Sequence, residues 1–251
     1  MTAMVTMPPA TTERCRLLLQ RWRQDLRLTR REQGLLRGEL TLLDRQLQRL
    51  EHNVLRLAVF GRVGVGKSSL INALVGQRLL ETDVAHGSTR RQQAVTWPLK
   101  LDGLQRVELI DTPGIDEIDA AGRTRLATRV AMGVDLVLLV IDSDLTRCDR
   151  DALETLQASG KPVRLVLNRS DRWPEEQLPE LLDSIRSRLP SDLPLTAVAA
   201  APRQPRLDAD GRVRSAPAPA QVNPLKHQLT DQLDREGELL LALQSLRQAD
   251  R

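Results

Sequence analysis

Apolar residues arrive along this chain in two rhythms. Between residues 54 and about 200 they form short, nearly continuous runs: Val54–Phe60, Val107–Ile110, Asp135–Ile141, Val163–Leu167 and Leu193–Val198. Runs of this length, bounded by polar stretches, predict strands buried on both faces. The segments between them, Lys67–Gly76, Arg123–Gly133, Arg147–Ser159 and Glu175–Leu189, have helical patterning. Residues 92–99 (QQAVTWPL) add an edge-like strand. The alternation predicts an α/β domain whose mainly parallel central sheet is covered by helices on both faces.

The second rhythm is helical and belongs to the flanks. In the arm at residues 11–53, Leu36, Leu40, Leu43, Leu47 and Leu50 step by four and three, as one apolar seam. Leu19, Trp22 and Leu26 continue it upstream, with Gly34 and Gly38 expected to mark a break. Residues 225–251 return to helix, carrying Leu229, Leu233, Leu240 and Leu243. Residues 1–10 are expected to be disordered. Residues 201–224, rich in Pro, Ala and Arg without apolar periodicity, are expected to be a linker or loop. The seam needs a surface to bury against: the domain body, the C-terminal helix, or a second copy in a homodimer.

Composition adds three constraints. Aromatic residues are 2% of the chain, with no Tyr, so the core is aliphatic and stacking platforms for single-stranded nucleic acid are disfavoured. The net charge of +4 resides wholly in the arm, where ten Arg face six acidic residues. Such an arm suits either a solvated helix face or peripheral contact with an anionic membrane. Cys15 and Cys148 lie far apart and fit reduced thiols in a cytoplasmic protein. No apolar run approaches the ~18–20 residues of a membrane span, and residues 1–10 lack a signal peptide's charged start and apolar centre.

The candidate chemistry begins at Gly61-Arg62-Val63-Gly64-Val65-Gly66-Lys67-Ser68, between a predicted strand and a predicted helix. The spacing fits a phosphate-binding loop. The glycines admit backbone angles that let successive N–H groups, from Gly61 through Gly64, Val65 and Gly66 to Ser69, converge on a phosphate at a helix N-terminus. Lys67 would reach the β- and γ-phosphate oxygens, and the Ser68 hydroxyl would ligate magnesium. A second strand ends in Asp111-Thr112-Pro113-Gly114, placing an acid for magnesium and a glycine N–H for the γ-phosphate. A third ends in Asn168-Arg169-Ser170-Asp171. A carboxylate there accepts from the N1–H and N2 amine of guanine, a donor pair adenine lacks, while Asn168 ties the guanine edge to the phosphate loop.

In this order, and with Gly87-Ser88-Thr89-Arg90, the motifs resemble the small GTPases of the translation-factor class, most closely the Era and TrmE-like group and its cyanobacterial Era-like relatives. The resemblance covers residues 54 to about 200. It implies a P-loop GTPase fold, GTP and GDP binding with magnesium, and switch loops that respond to the γ-phosphate. It also implies that Thr89 closes onto magnesium in the GTP state, acting there with Lys67 and Gly114. Residues 193–197 resemble the last guanine-contacting motif, giving Ala197, with Ala199-Ala200 as the competing register.

Two departures matter. Arg169 stands where the family carries Lys, which lies along the base and braces the phosphate loop. Ile115 follows DTPG where Ras-like proteins place a water-orienting Gln, and Gly64 occupies the position of the potassium-binding Asn of some relatives. Slow hydrolysis is the expectation. Arg90 and Arg91 beside the switch, and Asp116, Glu117 and Asp119 after Ile115, are further candidates without an assigned role. The leading reading is a slow GTPase switch; the second is a GTP-regulated, dynamin-like assembly or tether whose output module is the helical arms. An RNA-linked role ranks lower, because the C-terminal segment lacks a G-x-x-G clamp. The sequence identifies no activating or exchange factor. Removal of residues 1–53 is expected to leave nucleotide binding largely intact.

Overall fold

The computed structural model describes residues 10–82, 92–115, 120–207, 210 and 212–249. A six-stranded sheet forms its centre, built from β1 (Val54–Gly61), β2 (Gln93–Trp97), β3 (Arg106–Asp111), β4 (Leu136–Ile141), β5 (Val163–Leu167) and β6 (Leu195–Ala197). The strand order is β2-β3-β1-β4-β5-β6, parallel throughout except for the edge strand β2, which runs antiparallel to β3. β1 and β4 are central and almost wholly aliphatic because both of their faces are covered.

Alternate residues feed two separate cores. Leu55, Leu57 and Val59 of β1 join Leu136, Leu138 and Val140 of β4 on one face, while Ala58 and Phe60 join Val137, Leu139 and Ile141 on the other. The first face is covered by α1 (Thr11–Asp25), α3 (Arg37–Glu51), α4 (Lys67–Val75) and α8 (Asn223–Ala249). The second is covered by α5 (Ala120–Gly133), α6 (Arg147–Ala158) and α7 (Gln177–Arg186). Both flanking segments therefore pack on one face of the sheet.

The arm consists of three helices, with α2 (Arg30–Leu35) between α1 and α3. The break expected between Gly34 and Gly38 is present, with α2 ending and α3 beginning at Leu36. A longer, unexpected interruption falls at residues 26–29, where Thr29 and Glu32 form a reciprocal capping box that starts a new helix. The seam buries within the chain at its C-terminal half: Leu43 and Leu50 are buried and Leu47 packs on the core, while Leu36 stays exposed. Arg49 anchors it further. Its guanidinium pairs with the fully buried Asp135 and donates from Nε to the Val54 carbonyl at 3.3 Å. Burial pushes the Asp135 carboxyl upward, against the opposing pull of Arg49 and of the Arg56 N–H at 2.8 Å.

Residues 201–224, expected to lack regular structure, instead hold an antiparallel hairpin of β7 (Arg203–Leu207) and β8 (Val213–Pro217). Its strands carry no apolar alternation because neither face packs on the core; nine of its ten strand residues are exposed. The Ala199–Gln221 bridge closes its base.

Candidate functional site

The motif residues gather at the C-terminal ends of β1, β3 and β5 and on the loop after β6, where open α/β sheets hold ligands. β1 delivers the phosphate loop and α4 leaves it, beginning at Lys67. Gly66 has φ +89°, and a Cβ there would meet the Asn168 amide nitrogen at 2.4 Å. Any side chain would thus strain the turn and push away the neighbouring loop. Lys67 is buried and curls back over the loop, with Nζ donating to the Gly61 carbonyl at 3.1 Å and the Arg62 carbonyl at 2.7 Å.

The two side chains assigned to magnesium meet. Ser68 Oγ donates to Asp111 Oδ2 at 2.6 Å, and Asp111 is buried at the end of β3. A hydroxyl and a carboxylate in contact beside a phosphate loop are hard oxygen donors of the kind magnesium takes, together with phosphate and water. Thr112 Oγ1 donates to the Val59 carbonyl at 2.8 Å, fixing the start of the DTPG turn to β1. Gly114 then lies so close to the loop that a Cβ would stand 2.8 Å from the Val63 nitrogen. Ile115 is fully buried among the aliphatic residues of the second core, so its side chain faces away from solvent.

Asn168 joins the two ends of the site. Its Nδ2 donates to the Val65 carbonyl at 2.8 Å, and its Oδ1 accepts from the Ala200 N–H at 3.0 Å. Arg169 has φ +59° and opens the 3-10 turn Ser170–Arg172, in which Asp171 is exposed. A cleft of about 750 Å³ adjoins these residues, lined by Gly66, Asn168, Arg169 and Ala200, with Arg78 and Arg203 farther out. Ala197 lies within β6, paired with Leu167, and does not line that cleft. Ala200, of the competing register, does line it, and Ala199 does not. Thr89, Arg90, Arg91, Asp116, Glu117 and Asp119 lie outside the described residues.

Sequence reasoning missed three residues here. Arg62 of the phosphate loop forms ion pairs with both Asp142 and Asp149. Arg62 lies 80 and 87 residues from its two partners along the chain, and no local pattern announces the pairing.

Residues 56–169 match the family of 50S ribosome-binding GTPases. Over these residues the chain is similar to the GTPases Era and Der. Among curated relatives, GTPase Der of Rhizobium johnstonii is 43% identical over 121 residues, which are 46% of this chain and 25% of that protein. GTPase Era of Synechocystis is 37% identical over 132 residues, 50% of this chain and 40% of its own. The chain thus spans only a quarter to two fifths of the length of these relatives. In overall fold the chain is similar to Aquifex aeolicus Era bound to GDP and aluminium fluoride, with a TM-score of 0.56 at 22% identity, covering 71% of this chain and 56% of that one. LeoA, a bacterial dynamin GTPase, aligns with 94% of this chain and 46% of its own at a TM-score of 0.53 and 18% identity.

Proposed function

We propose that this chain is a magnesium-dependent guanine-nucleotide switch that binds GTP and GDP and hydrolyses GTP slowly, in the cytoplasm. The observation that carries the reading is Asn168, whose one amide holds the phosphate loop through Val65 and the base-side loop through Ala200. A nucleotide spanning both ends would be gripped by elements already fastened together. Ser68 and Asp111 would hold magnesium, which neutralises phosphate charge when bound. The guanine ring would lie along Arg169, with Asp171 accepting its N1–H and N2 amine and the Ala200 region meeting its carbonyl.

In the reaction, water attacks the γ-phosphorus and the bond to the β-phosphate oxygen breaks, giving GDP and phosphate. Lys67 exchanges its two carbonyl acceptors for phosphate oxygens, a stronger charge-assisted contact. Gly114 brings an N–H to the γ-phosphate, and Thr89 completes the switch. No side chain of Ile115 can orient the water, because it is buried; slow turnover follows. The test is phosphate release from GTP and from ATP, by the unaltered chain and by Lys67→Ala.

A second reading has a specific observation in its favour. Of the twelve large hydrophobic residues exposed among the described residues, eight lie on the helices of the two arms, among them Leu18, Trp22, Leu239, Leu243 and Leu246. Leu18 and Trp22 share a groove with Leu246 between α1 and α8. With the arm's Arg excess, this surface fits an anionic membrane better than a second copy, which would set like charges against each other. Co-sedimentation with phosphatidylserine vesicles, lost in Leu18→Ser/Trp22→Ser, is the expected result; concentration-dependent dimerisation without vesicle binding would favour the homodimer. RNA is the lower-ranked partner, although one Era structure of similar fold (TM-score 0.55) was determined with nucleotides of 16S ribosomal RNA.

A further inference from the structure

Asp142 follows directly on β4, and its two oxygens are divided between arginines from opposite ends of the site. Oδ1 accepts from Arg62 Nη2 at 3.1 Å, and Oδ2 accepts from Arg169 Nη1 at 2.8 Å. Arg62 is the second residue of the phosphate loop; Arg169 follows Asn168 on the base side. The other edge of Arg62 is also held, by Asp149 Oδ1 at 3.2 Å from Nε. Asp149 is itself fixed, for its Oδ2 accepts from both the N–H and the hydroxyl of Thr146 at the start of α6. The side chains of Arg62, Asp142 and Arg169 are 20%, 19% and 28% exposed. They are withdrawn enough from water to interact more strongly than a surface pair.

We propose that Asp142 is a positioning residue that braces the phosphate loop against the base-side loop and thereby sets how long a guanine nucleotide stays bound. The inference rests on the nucleotide reading above and adds a residue to it. Two observations on Arg169 support such a brace. Its left-handed backbone is held from both sides, by the Asn168 N–H donating to the Ile141 carbonyl at 2.8 Å and the Ser170 N–H donating to the Val198 carbonyl at 3.0 Å, so its side chain leaves from a fixed point. It also replaces a lysine of the resembling family, and a guanidinium is too broad and forked to serve as that lysine's point charge. Here its fork is tied to Asp142, whose second oxygen passes the constraint on to Arg62. The lysine's bracing contact is thereby replaced by a carboxylate shared between two arginines.

Preorganisation of this kind acts only on a ligand that touches both ends. GDP reaches from the phosphate loop to Asn168 and Arg169. Magnesium pyrophosphate reaches the phosphate loop alone. The experiment uses the full chain, a fluorescent GDP analogue in a dissociation assay, and calorimetry with magnesium pyrophosphate. Asp142→Asn, which keeps the shape and removes the charge, is expected to speed release of the GDP analogue about tenfold. Its affinity for pyrophosphate should stay within about twofold of the unaltered chain. Arg62→Ala approaches the same brace from the other side and should give a similar loss, while the double variant should add little to either. Asp142→Glu should recover part of the retention. Unchanged GDP release in both single variants would overturn the brace, and so would an equal loss of pyrophosphate affinity, which would reduce Asp142 to support of the loop fold. Failure of the unaltered chain to bind GDP would instead overturn the nucleotide reading on which the proposal stands.

Discussion

Single side chains decide whether the grip works. Lys67→Ala removes the cation that donates to two loop carbonyls and that, in the proposed function, would turn to phosphate. Loss of one hydrogen bond to a charged group is worth ~1.5–3 kcal/mol, so GDP affinity should fall by at least about tenfold in calorimetry; unchanged affinity would remove the phosphate loop from the site. Asp171→Asn should move preference from guanine toward xanthine nucleotides in a competition assay, because the amide offers a donor where the carboxylate only accepts. Gly66→Ala should abolish binding, since the added carbon would collide with the Asn168 amide and force φ out of its left-handed value. The phosphate loop, Asp111 and Asn168 were legible because each motif is local: a few residues at fixed spacing, at the end of an apolar run. The Arg62–Asp142–Arg169 chain was not, since ion pairs across 27 and 80 residues leave no periodic trace.

At the level of elements, the sheet was readable because both of its faces are buried and its strands are therefore almost uninterrupted apolar runs. The hairpin of β7 and β8 escaped because strands exposed on both faces have no alternation to detect. The arm was half readable. Its seam and the break between Gly34 and Gly38 were visible, but an apolar seam does not say what covers it, and nothing periodic announced the longer break capped by Thr29. What covers it changes the expectation for truncation: Cys15, Leu19 and Leu50 belong to the core beneath the sheet. Removal of residues 1–53 should therefore lower the stability of the domain as well as shorten it, seen as a lowered melting temperature. Arg49→Ala is the sharper probe. It would leave Asp135 buried without its guanidinium, a loss of ~3–5 kcal/mol in chemical denaturation. Cys15 reports the docking of α1 on α8, its thiol lying 3.5 Å from the Ala242 carbonyl. Burial pushes that thiol up to about 11, against an ordinary ~8.5. Because folding raises this pKa, the contribution is complete below about pH 8.5 and fades as pH rises toward the folded value. Cys15→Ala should flatten the fall in melting temperature across that window, and a parallel fall in both proteins would contradict it.

At the scale of the molecule, the two faces of the sheet are unlike. One is closed by α5, α6 and α7; the other carries α4 together with the flanking helices, most of the exposed apolar residues and the Arg-rich arm. No helix among the described residues is long and apolar enough to cross a membrane. A nucleotide site proposed at one edge and a helical layer with exposed apolar residues on one face underlie both proposed readings, which differ in what the layer meets. If the layer only supports the domain, turnover per molecule should be independent of protein concentration and of vesicles. Turnover that rises with either would assign it an output role. The central claim, however, is guanine-specific, magnesium-dependent hydrolysis at the phosphate loop. It is tested most directly by steady-state phosphate release from GTP and ATP, with magnesium and with chelator, for the unaltered chain and Lys67→Ala. Slow multiple turnover of GTP alone, dependent on magnesium and absent in Lys67→Ala, is the predicted result. Equal turnover of ATP, or GTP turnover that survives Lys67→Ala, would contradict it.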